Sequence, residues 1–370
     1  MKTSTRRILL GIALLLIIVT IIYLESNNSA SPLTPDQIQT LETPSTTSTQ
    51  SKTSSNPVAV ELVDPEGYFN LPVNATTNTT TLHLQDYVGK QIILVDFWTY
   101  SCINCQRTIP HLNDLYEKYH NQGLLMVGVH APEFDFEKDP QNVKRAIEKF
   151  QIKYPVVQDN DMHTWQAYQN RYWPHKYLID LTGHIVYDHI GEGGYEETEA
   201  VIQDLLQKRA TILGTNLTTT NVEHQPLPPE PTYNHPLTPE IYMGYAYSRN
   251  QFGNREGWQP QKSVNYSFPS SLTPDLFYLE GTWLNNKDNM ILQSTSGRIG
   301  LRYSARAVNI VAGADSPVNL TVYKDGKEYK TLTIKNYDLY PLIDDQEYGT
   351  HELSIKVSQP GLMAFTFTFG

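Results

Sequence analysis

The chain has 370 residues, with 28 lysines and arginines against 39 aspartates and glutamates, a formal net charge of −11. That balance excludes a general nucleic-acid binder, which needs a basic surface for phosphate. Apolar residues at 39% and aromatics at 11% exclude wholesale disorder, and a total of two cysteines excludes a disulfide framework.

Lys2, Arg6 and Arg7 precede the run Ile8 to Leu24, which holds no charged residue. As a helix this run is about 26 Å long, close to the thickness of a hydrocarbon core. It exceeds the usual apolar core of a cleaved signal peptide, about 7–15 residues. Residues 1–24 are therefore expected to be an uncleaved signal anchor, a transmembrane helix whose basic flank stays in the cytoplasm while the rest is exported. Residues 25–57 are dominated by Ser, Thr, Pro, Asn and Gln. Such a segment cannot bury enough surface to fold, so it is a tether, with a reach of roughly 30 Å. Asn-x-Ser/Thr sites at Asn27, Asn74, Asn78, Asn216, Asn265 and Asn319 suit an exported chain but occur near the frequency of chance.

The first folded domain is expected over 58–210. Gln91 to Trp98 is an apolar, β-branched run that reads as a buried strand. It leads into Cys102-Ile103-Asn104-Cys105, after which Ile109, Leu112, Leu115, Tyr116 and Tyr119 fall at helical spacing, with Pro110 in the middle as an expected kink. Leu124 to Val129 is a second buried strand, and Asp139-Pro140 starts a helix with Val143, Ala146, Ile147 and Phe150 on one face. Strands at Lys176–Ile179 and 184–187 flank a turn at 181–183, and a helix over 195–208 closes the domain. Strands alternating with helices argue for an α/β layer fold.

This placement puts the cysteines at a strand-to-helix turn. Unpaired amides at a helix start favour a thiolate, the nucleophile of disulfide exchange. Cys102 is the expected attacking residue, and Cys105, one turn on, the resolving one. Other readings stay open: a structural disulfide, which over so short a loop constrains the unfolded chain little; half of a zinc site, which lacks a second Cys pair or a His-x3-His run; and a lone peroxidatic thiol, with Thr99 and Cys102 as its loop.

The run VDFWTYSCINCQRTIP resembles the active-site segment of thioredoxin-like redoxins of the exported, TlpA type. With GVHAPEFDFEKDPQNV, YPVVQDND, NRYWPHKYLID, GEGGYEETE, TPEIYMGYA, GTWL and MAFTFTFG, residues 60–370 resemble the extracytoplasmic part of DipZ-type thiol:disulfide interchange proteins. The resemblance implies a thioredoxin-like fold and a redox-active Cys102–Cys105 disulfide, with no metal and no other cofactor. It implies that Asp96 is the buried carboxylate that takes the proton of the resolving thiol, where burial raises a carboxylate's pKa. Pro174 after Trp173 matches a cis-proline facing the disulfide, and Glu133 matches an acidic residue near the thiols, a surface-loop role being the alternative. Ser101 before the first cysteine, where tryptophan is usual, and Asn104 before the second depart from the family pattern and leave the direction of electron flow open.

A proline-rich stretch at 211–240 is expected to be a semi-rigid linker, and 241–370 a second domain. Its short alternating segments, with a hairpin signal at Lys324-Asp325-Gly326-Lys327, argue for an all-β sandwich. Twelve of the 24 tyrosines lie after residue 232. They read either as core and cross-strand pairs or as stacking platforms for sugar, since the domain resembles a jelly-roll carbohydrate-binding module. The expected function is a membrane-tethered, extracytoplasmic thiol:disulfide oxidoreductase acting on exported protein thiols and disulfides. The alternatives are a redoxin-type thiol peroxidase and a sugar-binding surface protein with a thioredoxin-like scaffold. Because a reductant outside the cytoplasm must be re-reduced, the resemblance also implies a partner: a membrane thiol carrier of DipZ type, expected as a separate protein docking around Trp98, Cys102 and Trp173-Pro174.

Overall fold

The computed structural model describes residues 56–71, 81–216, 227–230, 235 and 237–370. The expected anchor at 1–24, all of the tether except 56–57, the sites at Asn27, Asn74 and Asn78, and parts of the 211–240 stretch lie outside the described residues. Among the described residues, no helix is long and apolar enough to cross a membrane.

The first region runs β1 (Gly67–Phe69), β2 (Ile92–Trp98), α1 (Ile103–Tyr119), β3 (Leu124–His130), α2 (Pro140–Lys149), β4 (Val156–Gln158), α3 (His163–Ala167), β5 (His175–Ile179), β6 (Ile185–Ile190) and α4 (Tyr195–Leu213). Six strands form one sheet in the order β1-β4-β3-β2-β5-β6. The β2–β3 and β3–β4 pairs are parallel, and β2–β5 and β5–β6 are antiparallel. Every residue of β2 and β3 is buried, as continuous apolar strands covered on both faces must be.

Strand alternation sorts β2 between two cores. Ile92, Leu94 and Trp98 pack with Ile109, Leu112 and Leu115 of α1 and with Ile202 and Leu206 of α4. Ile93, Val95 and Phe97 face the opposite layer, with Trp165 and Tyr177. Asp96 has even parity and so belongs to the α1 face. Its partner across β3 is Gly128, where an added Cβ would stand 2.9 Å from the Trp98 indole nitrogen and 3.1 Å from the Tyr154 ring. The fold is thioredoxin-like, with the first turn of α1 following the C-terminal end of a central strand.

The second region is β-rich: β7 (Ile241–Tyr242), β8 (Ser263–Tyr266), β9 (Phe277–Asn285), β10 (Met290–Leu292), β11 (Gly297–Gly313), β12 (Val318–Lys324), β13 (Lys327–Ile334), β14 (Asp338–Val357) and β15 (Met363–Phe369). The main hydrogen-bonded path is β13-β12-β14-β11-β15-β10-β9-β8. β11 pairs with β9 through Arg298–Leu301 and with β15 through Val308–Gly313, so the path closes on itself around an apolar core that includes Trp283, Tyr303 and Phe367. Register shifts at Ala305/Ala307 and Val308/Asn309 interrupt the β11–β14 ladder where these long strands change partners. The β12–β13 hairpin turns at Asp325 (φ 50°) and Gly326 (φ 76°), the positive pair that a type I′ turn demands. Tyr242, Tyr266, Tyr278 and Tyr303 are buried and serve as core residues.

Residues 56–370 form one compact unit. Phe134 of the first region packs with Tyr242, Val311, Leu339 and Phe365 of the second, and Ile103 and Phe136 lean on the same cluster. Phe136 meets Phe365 edge-on at 4.7 Å. The Tyr100 hydroxyl donates to the Tyr337 carbonyl at 3.2 Å, and Lys149 pairs with Asp338 at 2.7 Å. Ile103, a residue between the two cysteines, thus packs against a cluster that both regions build.

Candidate active site

Cys102 caps α1 in an extended conformation (φ −78°, ψ 120°), leaving its side chain at the mouth of the helix. Its carbonyl accepts the Gln106 amide at 3.0 Å. The turn before it is tied by the Gln106 side-chain amide, which donates to the Tyr100 carbonyl at 2.7 Å. Both thiols are free; Cys102 is partly exposed and Cys105 is buried. The Cys102 thiol donates to the Trp173 carbonyl at 3.8 Å, and the Trp173–Pro174 peptide is cis. The Trp173 indole N–H donates to the Ala131 carbonyl at 3.0 Å, and its ring lies 4.2 Å from that of Trp165. α1 continues through Pro110.

Burial, and then the neighbouring Cys102, push the Cys105 thiol well above its usual range; the Asp96 charge adds to this and a hydrogen bond with the Thr99 backbone opposes it. Asp96 is 2% exposed. Its carboxyl is pushed up to about 7 by burial, which the positive charge of Lys176 partly offsets. One of its oxygens has no protein partner. Lys176 sits directly opposite Asp96 in the β2–β5 ladder and is 1% exposed. Its ammonium donates to the Gly191 carbonyl at 3.3 Å. Burial lowers its pKa, and the charges of Asp96 and Cys105 counter that. Sequence reasoning missed Lys176. The signal was a lysine inside the apolar strand His175–Ile179, where a charge needs a partner.

The structure brings Cys102, Cys105, Asp96, Trp173 and Pro174 together. Of the other two expected residues, one lies in the core and the other is bonded to the second region. Trp98 is 1% exposed, and its ring is edge-on to His130 at 5.1 Å in the core. It cannot be part of a docking face, because its neighbours on β2 fill both layers of the sheet. Glu133 directs its carboxylate to the Tyr242 hydroxyl of the second region, at 2.5 Å. The carboxylate that holds the active-site turn is Glu137, fully buried. One of its oxygens accepts the Ser101 hydroxyl (2.6 Å) and amide (3.3 Å), and the other accepts the amides of Glu133 (2.7 Å) and Phe134 (3.0 Å). His130 lies against the Thr99 hydroxyl at 3.4 Å, and burial pushes it down to about 3, so it is neutral. Among the described residues, no cluster of three or more His, Cys, Asp or Glu could hold a metal ion.

A half-exposed thiol at a helix start with a buried thiol one turn on can exchange disulfides, and the fold around it is that of the thioredoxin-like oxidoreductases. Comparison with known proteins agrees. Residues 65–188 match the AhpC/TSA family, and residues 238–370 match the thioredoxin-like C-terminal domain family. Protein DipZ of Mycobacterium bovis is 36% identical over 315 residues, covering 84% of this chain and 43% of that protein. The thiol-disulfide oxidoreductase YkuV of Bacillus subtilis is 30% identical over 122 residues, covering 33% of this chain and 82% of YkuV. A solved thioredoxin-like superfamily protein, SPOA0173, is 27% identical with a TM-score of 0.36, covering 40% of this chain and 96% of that one. The chain belongs to the thioredoxin-like family of thiol-disulfide oxidoreductases, and it spans less than half the length of the DipZ relatives it matches.

Proposed function

We propose that the chain is an extracytoplasmic, membrane-tethered thiol:disulfide oxidoreductase whose working couple is Cys102 and Cys105. The observation that carries this reading is the pairing of a partly exposed Cys102 at the cap of α1 with a buried Cys105 in reach of the Asp96 charge. In the reducing direction, the Cys102 thiolate attacks one sulfur of a client disulfide, and the other client sulfur leaves as a thiolate. Asp96 takes the Cys105 proton, and the Cys105 thiolate attacks the Cys102 sulfur of the mixed disulfide. The second client thiolate leaves, and the two electrons given up by the dithiol now sit on the two client thiols. A carboxylate near 7 is matched to proton transfer at neutral pH. The oxidising direction is the same sequence reversed.

The uncharged run Ile8–Leu24 after a basic flank supports the tether and its topology. If the flow is reductive, a membrane thiol carrier of DipZ type supplies the electrons. We read the β-rich region as a jelly-roll-like sandwich module; the buried tyrosines leave any sugar contact to the exposed ones such as Tyr329.

The AhpC/TSA match is the observation that favours the peroxidase reading. Peroxide cleavage leaves a hydroxide that needs donors or a cation beside the sulfur, whereas among the described residues the backbone group on Cys102 Sγ is an acceptor, the Trp173 carbonyl. The deciding experiment is the reduction potential of the Cys102–Cys105 couple, together with exchange and peroxide turnover by the same preparation. Reversible exchange lost in Cys102→Ser supports the proposal. Peroxide turnover that survives Cys105→Ser without exchange activity overturns it.

A further inference from the structure

Trp173 has two faces toward function. Its carbonyl receives the Cys102 thiol, and its indole lines a cleft of about 480 Å³ whose far wall comes from the β-rich region, through Tyr242, Tyr247, Arg249 and Lys287. That volume lies within the roughly 300–1,000 Å³ of ordinary binding pockets. The wall is fastened to the active-site side by two tyrosines. The Tyr242 hydroxyl donates to the Glu133 carboxylate at 2.5 Å, and the Tyr247 hydroxyl donates to the Glu133 carbonyl at 3.2 Å. Trp173 is itself pinned to the Ala131 carbonyl and packed against the Trp165 ring at a tilt of 34°, so both walls are held by contacts of their own.

The charges around the cleft are unequal. Lys138 pairs with Asp135 at 3.3 Å. The Glu133 carboxyl is pushed up to about 8, by burial and by the nearby Glu240 carboxylate, and so is mainly protonated at neutral pH. Asp288, half-buried, adjoins Lys287, and the Glu240 carboxylate lies within reach of the Arg249 charge. Arg249 and Lys287 are exposed, and the Arg249 guanidinium is steadied over the Tyr242 ring at 5.1 Å. In a chain of net charge −11, the exposed side chains of Arg249 and Lys287 thus present two cations in the cleft that Trp173 lines.

We propose that the β-rich region is the second half of the client site: the cleft between Trp173 and Arg249/Lys287 holds an extended peptide segment with Asp or Glu close to the client's reactive cysteine. This rests on Cys102 being the attacking thiol. An extended segment lying along Trp173-Pro174 presents its sulfur to Cys102 and carries its flanking side chains into the cleft. The cations then favour acidic flanks and repel basic ones.

The test uses the full chain and three short peptides, each with one cysteine held as a disulfide with 2-mercaptoethanol and flanked by Glu, Ser or Lys. With the chain reduced beforehand, and at low ionic strength, the expected order of the second-order rate constant for single-turnover reduction is Glu above Ser above Lys, with roughly tenfold between the extremes, and added salt should compress it. The double variant Arg249→Glu/Lys287→Glu, at two exposed positions, should invert the order, and Arg249→Gln/Lys287→Gln should flatten it. Equal rates for the three peptides, or an order that the variants leave intact, overturn the proposal. Bis(2-hydroxyethyl) disulfide, which has no flanks, separates the two levels. If the wild type exchanges it but does not rank the peptides, only the cleft assignment fails; if the wild type does not exchange it, the redox reading fails and the cleft assignment with it.

Discussion

Asp96 and Lys176 face each other across the β2–β5 ladder, both almost wholly buried, and the charges of both act on Cys105. Burial works against both charges: it pushes the carboxyl up and the ammonium down. A carboxyl at about 7 in the fold, against about 3.9 unfolded, holds its proton more tightly when folded. Its favourable contribution is therefore complete below about pH 4 and is lost as pH rises toward 7.

Asp96→Asn should accordingly stabilise the protein near pH 7.5 and do little at pH 4. The full shift corresponds to about 4 kcal/mol. The attraction of Lys176 is already contained in that figure, because it is one of the two causes that set the Asp96 value. The same variant should lengthen the life of the mixed disulfide below pH 8, because Cys105 loses its base. Urea unfolding at the two pH values, with trapping kinetics beside it, checks both halves. Equal gains at pH 4 and 7.5 would count against Asp96 as the titrating group.

The two cysteines should differ sharply toward iodoacetamide at pH 7. Cys102 is partly exposed, whereas Cys105 is buried with its thiol raised. Alkylation of Cys102 should be at least about tenfold faster, since reactivity follows thiolate fraction and access. Cys105→Ser should then accumulate mixed disulfides at Cys102. Mass spectrometry of partly alkylated protein reads the ratio, and comparable rates would undo the assignment of roles.

Glu137→Ala should be among the most damaging substitutions in the first region. It leaves the Ser101 hydroxyl and the amides of Ser101, Glu133 and Phe134 without their acceptor, at a cost of about 3 kcal/mol or more. Glu137→Gln keeps one acceptor oxygen and should recover part of that loss. Chemical denaturation of the two variants measures the difference. If alanine and glutamine cost the same small amount, the buried network is not what holds the turn.

Phe134→Ala should uncouple the two regions. Phe134 is 1% exposed and packs against Tyr242, Val311, Leu339 and Phe365, and a buried phenylalanine truncated to alanine costs about 3–5 kcal/mol. Because the loss falls on the seam, calorimetry should resolve two transitions where the wild type shows one. A single transition merely shifted to lower temperature would mean that other contacts, such as Tyr100–Tyr337 and Lys149–Asp338, suffice.

Local pattern determined much of this protein. An apolar β-branched run, a Cys-x-x-Cys and helical spacing after it place the thiols at the cap of α1, and Asp-Gly marks the β12–β13 turn, because these features depend on backbone preferences within a few residues. β9 and the first half of β14 escaped that reading. The Glu280-Gly281-Thr282 break and the acidic run Asp344-Asp345 hide their periodicity, and their pairing is settled by distant partners on β11.

The site divides in the same way. Cys102, Cys105, Asp96 and Trp173-Pro174 could be named from motifs, whereas Lys176 and Glu137 became functional candidates only when β5 paired with β2 and the 133–137 loop came against the turn before α1. Trp98 looked like part of the thiol face until strand alternation and burial on both layers put it in the core. The union of the two regions through Phe134, Tyr242 and Phe365 had no sequence signal at all. A contact between residues more than a hundred positions apart is a property of how two surfaces fit, and only the tertiary structure decides it.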